Sequence, residues 1–493
     1  MNRVLHFVLV SLFLFLVSCD RDNKSNSEPE SKPESESLIP DDSRTLVSIL
    51  SSSEYTPHEF ISKLGSRSFA SIINYFSPKI VELGKTLARI KLETHLPALD
   101  RDFANEVGTG DDDERLWHIE SHTFSYRSIS SDGREIVLSG RVTFPNNKVD
   151  GIPHEVNSLS LHSHQALMSR DWAPSESLMF MPLRSLWNSA VIEPDFQNYG
   201  INYGIEYDGH GAPIAMSRQL ADCSLAALEI MEKHGVTLAR DGFTTSWGSS
   251  QAAAVPLAFA KYYETQAPEW FRNLIRLKSS YTGEGALELA DIMDYYSIHP
   301  ELYNFSHVYL CRYISAFSRE QLEGYDMKEL VSPWLDTTYV SVGGQECSLL
   351  DAILHYGEME VLHKPAVKRL DQIFASDMIA PEGGLDKSSP KSQAFLNCLR
   401  TAGNLDDWTP QHPVYIAHCR KDIALPYDYA YNSYLKLSGN NSNPKVKWID
   451  VYAPDGIESL IADITGTHII VSIIMLLNMS CVEEPEDMTL IYK

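Results

Sequence analysis

Cysteine is scarce, with 7 in 493 residues and none at a CxxC or zinc-finger spacing. That excludes a disulfide scaffold and a zinc ribbon as the organising principle. Positive charge is also short: 41 Lys and Arg stand against 66 Asp and Glu, for a net charge of −25. An acidic surface argues against nucleic acid or an anionic membrane face as the main partner. Past the N-terminus no apolar run is long enough to be a transmembrane helix, and no internal repeat announces a propeller or solenoid. What is there is ordinary globular composition, 43% hydrophobic and 22% charged. The length is too great for one compact core and allows two or three units.

The N-terminus reads as an export signal. Asn2 and Arg3 precede an apolar run from Val4 to Val17, broken by His6 and Ser11. The run is short for a membrane span and fits a cleaved secretory signal over 1–18. Leu16-Val17-Ser18-Cys19 resembles the bacterial lipoprotein box, which implies acylation of Cys19 and anchoring in the cell envelope. Asp20 to Ser43 is rich in Ser, Glu, Pro and Asn. It cannot bury a core and is expected to be a solvated tether over 19–43. The other cysteines, Cys223, Cys311, Cys347, Cys398, Cys419 and Cys481, are scattered, and no pairing can be read from them.

The folded part divides by its periodicity. Residues 44–114 are expected to form an N-terminal helical extension, because Leu46, Ile49, Leu50 and then Phe69, Ile72, Ile73, Phe76, Ile80 and Leu83 recur at helical spacing. Thr56-Pro57-His58-Glu59 looks like a helix start. From Trp117 the pattern alternates, and Ser131-Asp132-Gly133 joins two strands over His122–Ser130 and Arg134–Phe144. Strands at Ser158–Leu161, Ala190–Ile192, Gly242–Trp247, Leu274–Leu277, Val414–Ala417 and Lys447–Val451 are separated by helices. The helices are Ala215–His234, Gln251 to about Glu264, and a last one from His468 to Asn478. This predicts an α/β fold with a mostly parallel sheet covered on both faces. The core runs over 115–278 and 409–493, and 279–408, helical and aromatic-rich, is an inserted cap.

The string Phe243-Thr-Thr-Ser-Trp-Gly-Ser-Ser-Gln-Ala-Ala-Ala-Val-Pro runs from a β-branched strand through small residues into an Ala-rich helix. A nucleophile on a sharp strand–turn–helix junction needs small residues two before and two after it. Ser250 has Gly248 and Ala252 there. Ser249 is flanked by Trp247 and Gln251, and Ser246 stays inside the strand. Pro256 removes one backbone donor and is expected to bend the following helix. A helix N-terminus behind Ser250 favours a developing anion.

A serine nucleophile of this type takes its acid and base in the chain order Ser, Asp or Glu, His. After His418 only His468 remains, in a polar Gly-containing loop. The acid belongs after the strand that precedes it, where Asp422 sits. Asp428 falls in the next helix, Asp455 follows a later strand, and Asp463 is too close to His468. The oxyanion N–H groups are expected from Gln251 and from Ser163 or His164, which the sequence does not separate. His162 and His164 as a metal pair lack a matching set of further ligands.

These pieces together resemble the α/β-hydrolase superfamily, and more narrowly its exported bacterial esterase/lipase-like members. The resemblance rests on Tyr126-Arg-Ser-Ile-Ser-Ser-Asp-Gly, Val191-Ile-Glu-Pro-Asp195-Phe-Gln-Asn-Tyr-Gly200, Gly248-Ser-Ser250-Gln-Ala-Ala253, and Asp422 to Pro426 with His468. It covers Trp117 to Leu277 and Thr409 onward. Ala252, Asn198 and Ser163 depart from glycines common in relatives. The resemblance implies a serine hydrolase of small-molecule carboxylic esters, with no cofactor and no metal, held to a membrane by lipid on Cys19. A prolyl-oligopeptidase-like serine peptidase and a degenerate surface-binding lipoprotein are the competing expectations.

Overall fold

The computed structural model describes residues 39–56, 59–60, 63, 117–147, 153–164, 172–178, 181–205, 209, 211–285, 287–342, 344–356, 367–403, 405–422, 424–451, 479 and 485. Cys19, Cys481, His468 and most of the 44–114 extension lie outside them. Among the described residues no helix is long and apolar enough to cross a membrane.

The framework is a nine-stranded sheet in the order β1-β2-β3-β5-β4-β6-β7-β10-β11. Its strands are β1 Leu46–Tyr55, β2 Trp117–Ile129, β3 Glu135–Asn147, β4 His154–Ser163, β5 Ser189–Pro194, β6 Val236–Ser249, β7 Leu277–Gly283, β10 Val414–Cys419 and β11 Val446–Val451. β1, β2, β3 and β5 pair antiparallel. From β5 through β4, β6, β7 and β10 to β11 every pairing is parallel. The β2–β3 hairpin turns at Gly133, whose φ of 86° only glycine adopts readily. The helices α1 Pro213–Lys233, α2 Ala254–Thr265 and α3 Glu269–Ile275 connect the core strands. Their apolar faces, among them Met216, Leu220, Ile230, Leu257, Phe259 and Phe271, join Val156, Leu159, Leu161 and Ile192 of the sheet in one buried cluster.

Three expectations need correction. Leu46, Ile49 and Leu50 lie on a strand, not a helix. Register shifts between Leu46 and Ser48 and between Ile49 and Ser51 interrupt the strand's two-residue period and mimic helical spacing. Cross-strand hydroxyl bonds hold it, Ser48 to Ser125 at 2.8 Å and Ser51 to Thr123 at 2.7 Å. The backbone N–H groups of Thr45 and Leu46 also donate to Glu229 on α1. Second, Leu274 belongs to α3, which ends at Arg276 in the left-handed region; the strand starts at Leu277. Third, Pro256 sits in the first turn of α2, where a backbone N–H has no intrahelical partner, so no donor is lost.

The insertion begins after β7 ends at Gly283, a few residues later than expected. It contains α4 Leu289–Ser297, α5 Tyr303–Ser315, α6 Leu349–His355 and α7 Pro390–Ala402, and also a hairpin, β8 Tyr339–Val342 with β9 Gln345–Ser348. It has its own core around Met293, Leu310, Leu335, Leu350, Ile353, Phe374 and Phe395. After β10 the chain forms α8 Tyr427–Leu437. The described cysteines, Cys223, Cys311, Cys347, Cys398 and Cys419, are all free thiols.

Candidate active site

The strand–helix junction after β6 is sharply wound. Ser249 is extended at φ −143°, Ser250 turns to φ 54°, and Ser250–Ala252 form one 3-10 turn before α2. A left-handed residue with a Cβ costs roughly 1–2 kcal/mol, so the surroundings must impose it. They do so sterically. A Cβ on Gly248 would meet Ala252 O at 2.6 Å and the Pro256 ring at 2.8 Å. A Cβ on Gly285 would meet Ala253 Cβ at 1.8 Å and Ser250 O at 2.9 Å. The Thr282 hydroxyl donates to Ala253 O at 2.5 Å, fastening the turn to β7. Ala252, two residues after Ser250, is wholly buried.

Strand register sets what lies beside Ser250. Ser163 of β4 pairs with Gly248, so the loop that starts at His164 leaves the sheet next to the elbow. Ser163 and His164 are buried, and the His164 imidazole bonds through Nε2 to Asp195 O at 2.8 Å. Gln251 follows Ser250 in the same turn. His162 is paired with Glu193 at 2.9 Å, which accounts for half of the HxH pair. On the other side Ser249 pairs with Gly283, and Gly283 with Ala417, so the ends of β6, β7 and β10 stand in a row.

Asp422 lies in the loop after β10, almost fully buried. Its Oδ1 accepts from the backbone N–H of Ala424 and of Leu425, each at 3.0 Å. Ala424 and Leu425 belong to the cap core, which fixes that loop from above. His418 donates through Nε2 to Leu425 O at 2.7 Å and braces the same loop. His468 lies outside the described residues.

Glu284 is the residue that sequence reading missed. It follows β7, at φ 51° and with no exposure. One ligand atom each of Glu284, His418 and Asp422 lies within 4.8 Å of the others. Among the described residues no N–H or hydroxyl donor reaches either Glu284 oxygen. Burial pushes its carboxyl well above the ordinary 4.5, and the adjoining Asp422 carboxylate pushes it further. Both influences favour the protonated form of Glu284, so the two adjoining carboxyl groups favour one negative charge between them. The signal was present: a lone carboxylate between two glycines, directly after a strand. The His418 bond to a carbonyl and the backbone bonds to Asp422 suit an orienting acid better than a cation ligand set.

The segment from Asp195 to Gly200 carries the cap. Phe196, Asn198 and Gly200 all have positive φ, at 62°, 72° and 57°. Asn is the side chain best suited to that conformation after glycine, which suits Asn198 to its place. Its amide donates to Leu354 O of α6 at 3.0 Å, and Arg312 of α5 donates to the Tyr199 hydroxyl at 3.3 Å.

The chain is similar over nearly its whole described length to the rice cell wall degrading esterase LipA from Xanthomonas oryzae, at 15% identity, with 89% of this chain and 97% of that one covered and a TM-score of 0.55. It is similar also to a candidate hydrolase from Legionella pneumophila, at 13% identity, with 88% and 98% covered and a TM-score of 0.54. The fold is that of the α/β-hydrolases. No protein-family model and no curated protein sequence matches the chain.

Proposed function

We propose that the protein is a serine hydrolase that cleaves carboxylic esters through an acyl-enzyme. The observation that carries this reading is Ser250 at φ 54° between Gly248 and the α2 N-terminus, a strained position with no evident packing purpose. Ser250 Oγ attacks the ester carbonyl, and its proton passes to His468. The tetrahedral oxyanion is taken by the N–H of Gln251 and one from Ser163 or His164. The proton then goes to the leaving alcohol, and water repeats the sequence to release the acid. Asp422, held by its own loop's backbone, orients His468 and stabilises its cationic form. The support for His468 is its place in the chain order. Likeness to an esterase fold supports ester over peptide cleavage. The same reading has the enzyme exported and held at the cell envelope by lipid on Cys19, for which the N-terminal sequence is the support.

A fluorophosphonate probe tests the nucleophile: the adduct is expected on Ser250, and a chain that takes up no probe, or takes it elsewhere, refutes the assignment. Short-chain p-nitrophenyl esters are expected to be turned over and amino-acid p-nitroanilides not. The opposite preference would mark a peptidase.

A further inference from the structure

At the end of the sheet remote from Ser250, three imidazoles converge on one buried carboxylate. The sequence His118-Ile-Glu120-Ser-His122 lies at the start of β2, so alternation puts all three polar side chains on one face. His234, at the end of α1, arrives from the other side, just before β6 begins. Glu120 Oε2 is 2.9 Å from His122 Nε2 and 2.6 Å from His234 Nδ1. Its Oε1 is 3.1 Å from His118 Nε2 and 2.6 Å from the Asn146 amide of β3. The carboxylate oxygen and the His122 and His234 nitrogens all lie within 4.8 Å of one another.

We propose that Glu120, His122 and His234 form a binding site for a zinc-class divalent cation. Two imidazole nitrogens and one carboxylate oxygen are a zinc donor set, whereas calcium and magnesium favour sites built mainly of oxygens. The supporting partners expected around such ligands are present. The Ser52 hydroxyl of β1 lies 2.8 Å from His122 Nδ1, placed to accept that N–H in the tautomer whose Nε2 binds a metal. Asn146 holds the other carboxylate oxygen. Glu120 and His122 are buried, while the His234 side chain is 30% exposed, giving the ion a path from solvent and a side from which water can complete its coordination. The ion would join β2 to the end of α1, with β1 gripping one ligand. Its role is structural, since Ser250 lies at the opposite end of β6.

The test uses the full-length chain, stripped with a chelator and titrated with zinc by calorimetry, with cobalt(II) absorption as a second reading. Wild type is expected to bind one zinc per chain and to melt higher with it. H234A, at a partly exposed helix end, is expected to keep esterase activity and lose zinc affinity by about 100-fold or more, together with the visible cobalt bands. S52A is expected to bind about 10–100-fold more weakly. Absence of zinc binding by the active wild type overturns the proposal. So does H234A binding zinc as tightly as wild type, which would place the metal elsewhere.

Discussion

Replacing Glu284 by Gln separates a buried acid from a structural spacer. Gln keeps the shape and an N–H donor toward Asp422 but carries no titrating proton. In the wild type the folded chain holds this proton well above the ordinary 4.5 of an exposed Glu, because burial and the Asp422 carboxylate oppose its loss. The unfolded chain releases the same proton near 4.5. Between the two values the folded state binds one proton more, so its stability falls as pH rises. One linked proton is worth about 1.4 kcal/mol per pH unit, and the group is fully buried, so solvent screening does not discount it. As pH rises past 4.5 the wild type is therefore expected to lose stability that E284Q does not lose. Guanidinium unfolding of both proteins at pH 5, 6 and 7 measures this as a stability difference that moves in favour of E284Q with rising pH. Parallel pH curves, or a wild type that gains on E284Q as pH rises, would show that Glu284 is ionised in the folded protein and would refute this account.

Two further substitutions probe the elbow and the cap hinge. G285A puts a methyl 1.8 Å from Ala253 Cβ, in a place bounded by backbone. It is expected to destabilise by about 1–3 kcal/mol and to depress ester hydrolysis by displacing Ser250, read from chemical unfolding and p-nitrophenyl ester turnover; unchanged values for both would mean that the turn tolerates displacement. N198A and N198G both lose the bond to Leu354 O, but only the first keeps a Cβ at φ 72°. N198A is expected to melt below N198G, with the gap reflecting roughly 1 kcal/mol of backbone strain. Equal melting temperatures would show that the loop relaxes.

The elbow was legible because its requirement is local. The small residues at 248 and 252 and the helix that follows are fixed by contacts within a single turn, and the structure places Gly248 where no side chain fits. The β2–β3 hairpin and the parallel strands were legible for the same reason: alternation and turn residues report backbone geometry over a few positions. Counting strands put Asp422 after β10, and the residue lies in that loop. Strand β1 was misread because bulges erase its period, and only its pairing with β2 and its bonds to Glu229 define it. The single charge favoured between Glu284 and Asp422, and the convergence of His234 on the β2 face, were beyond sequence reasoning. Each joins residues far apart in the chain, and whether a carboxylate is ionised, or an imidazole meets another, depends on burial and distance that only the packed sheet and helices decide.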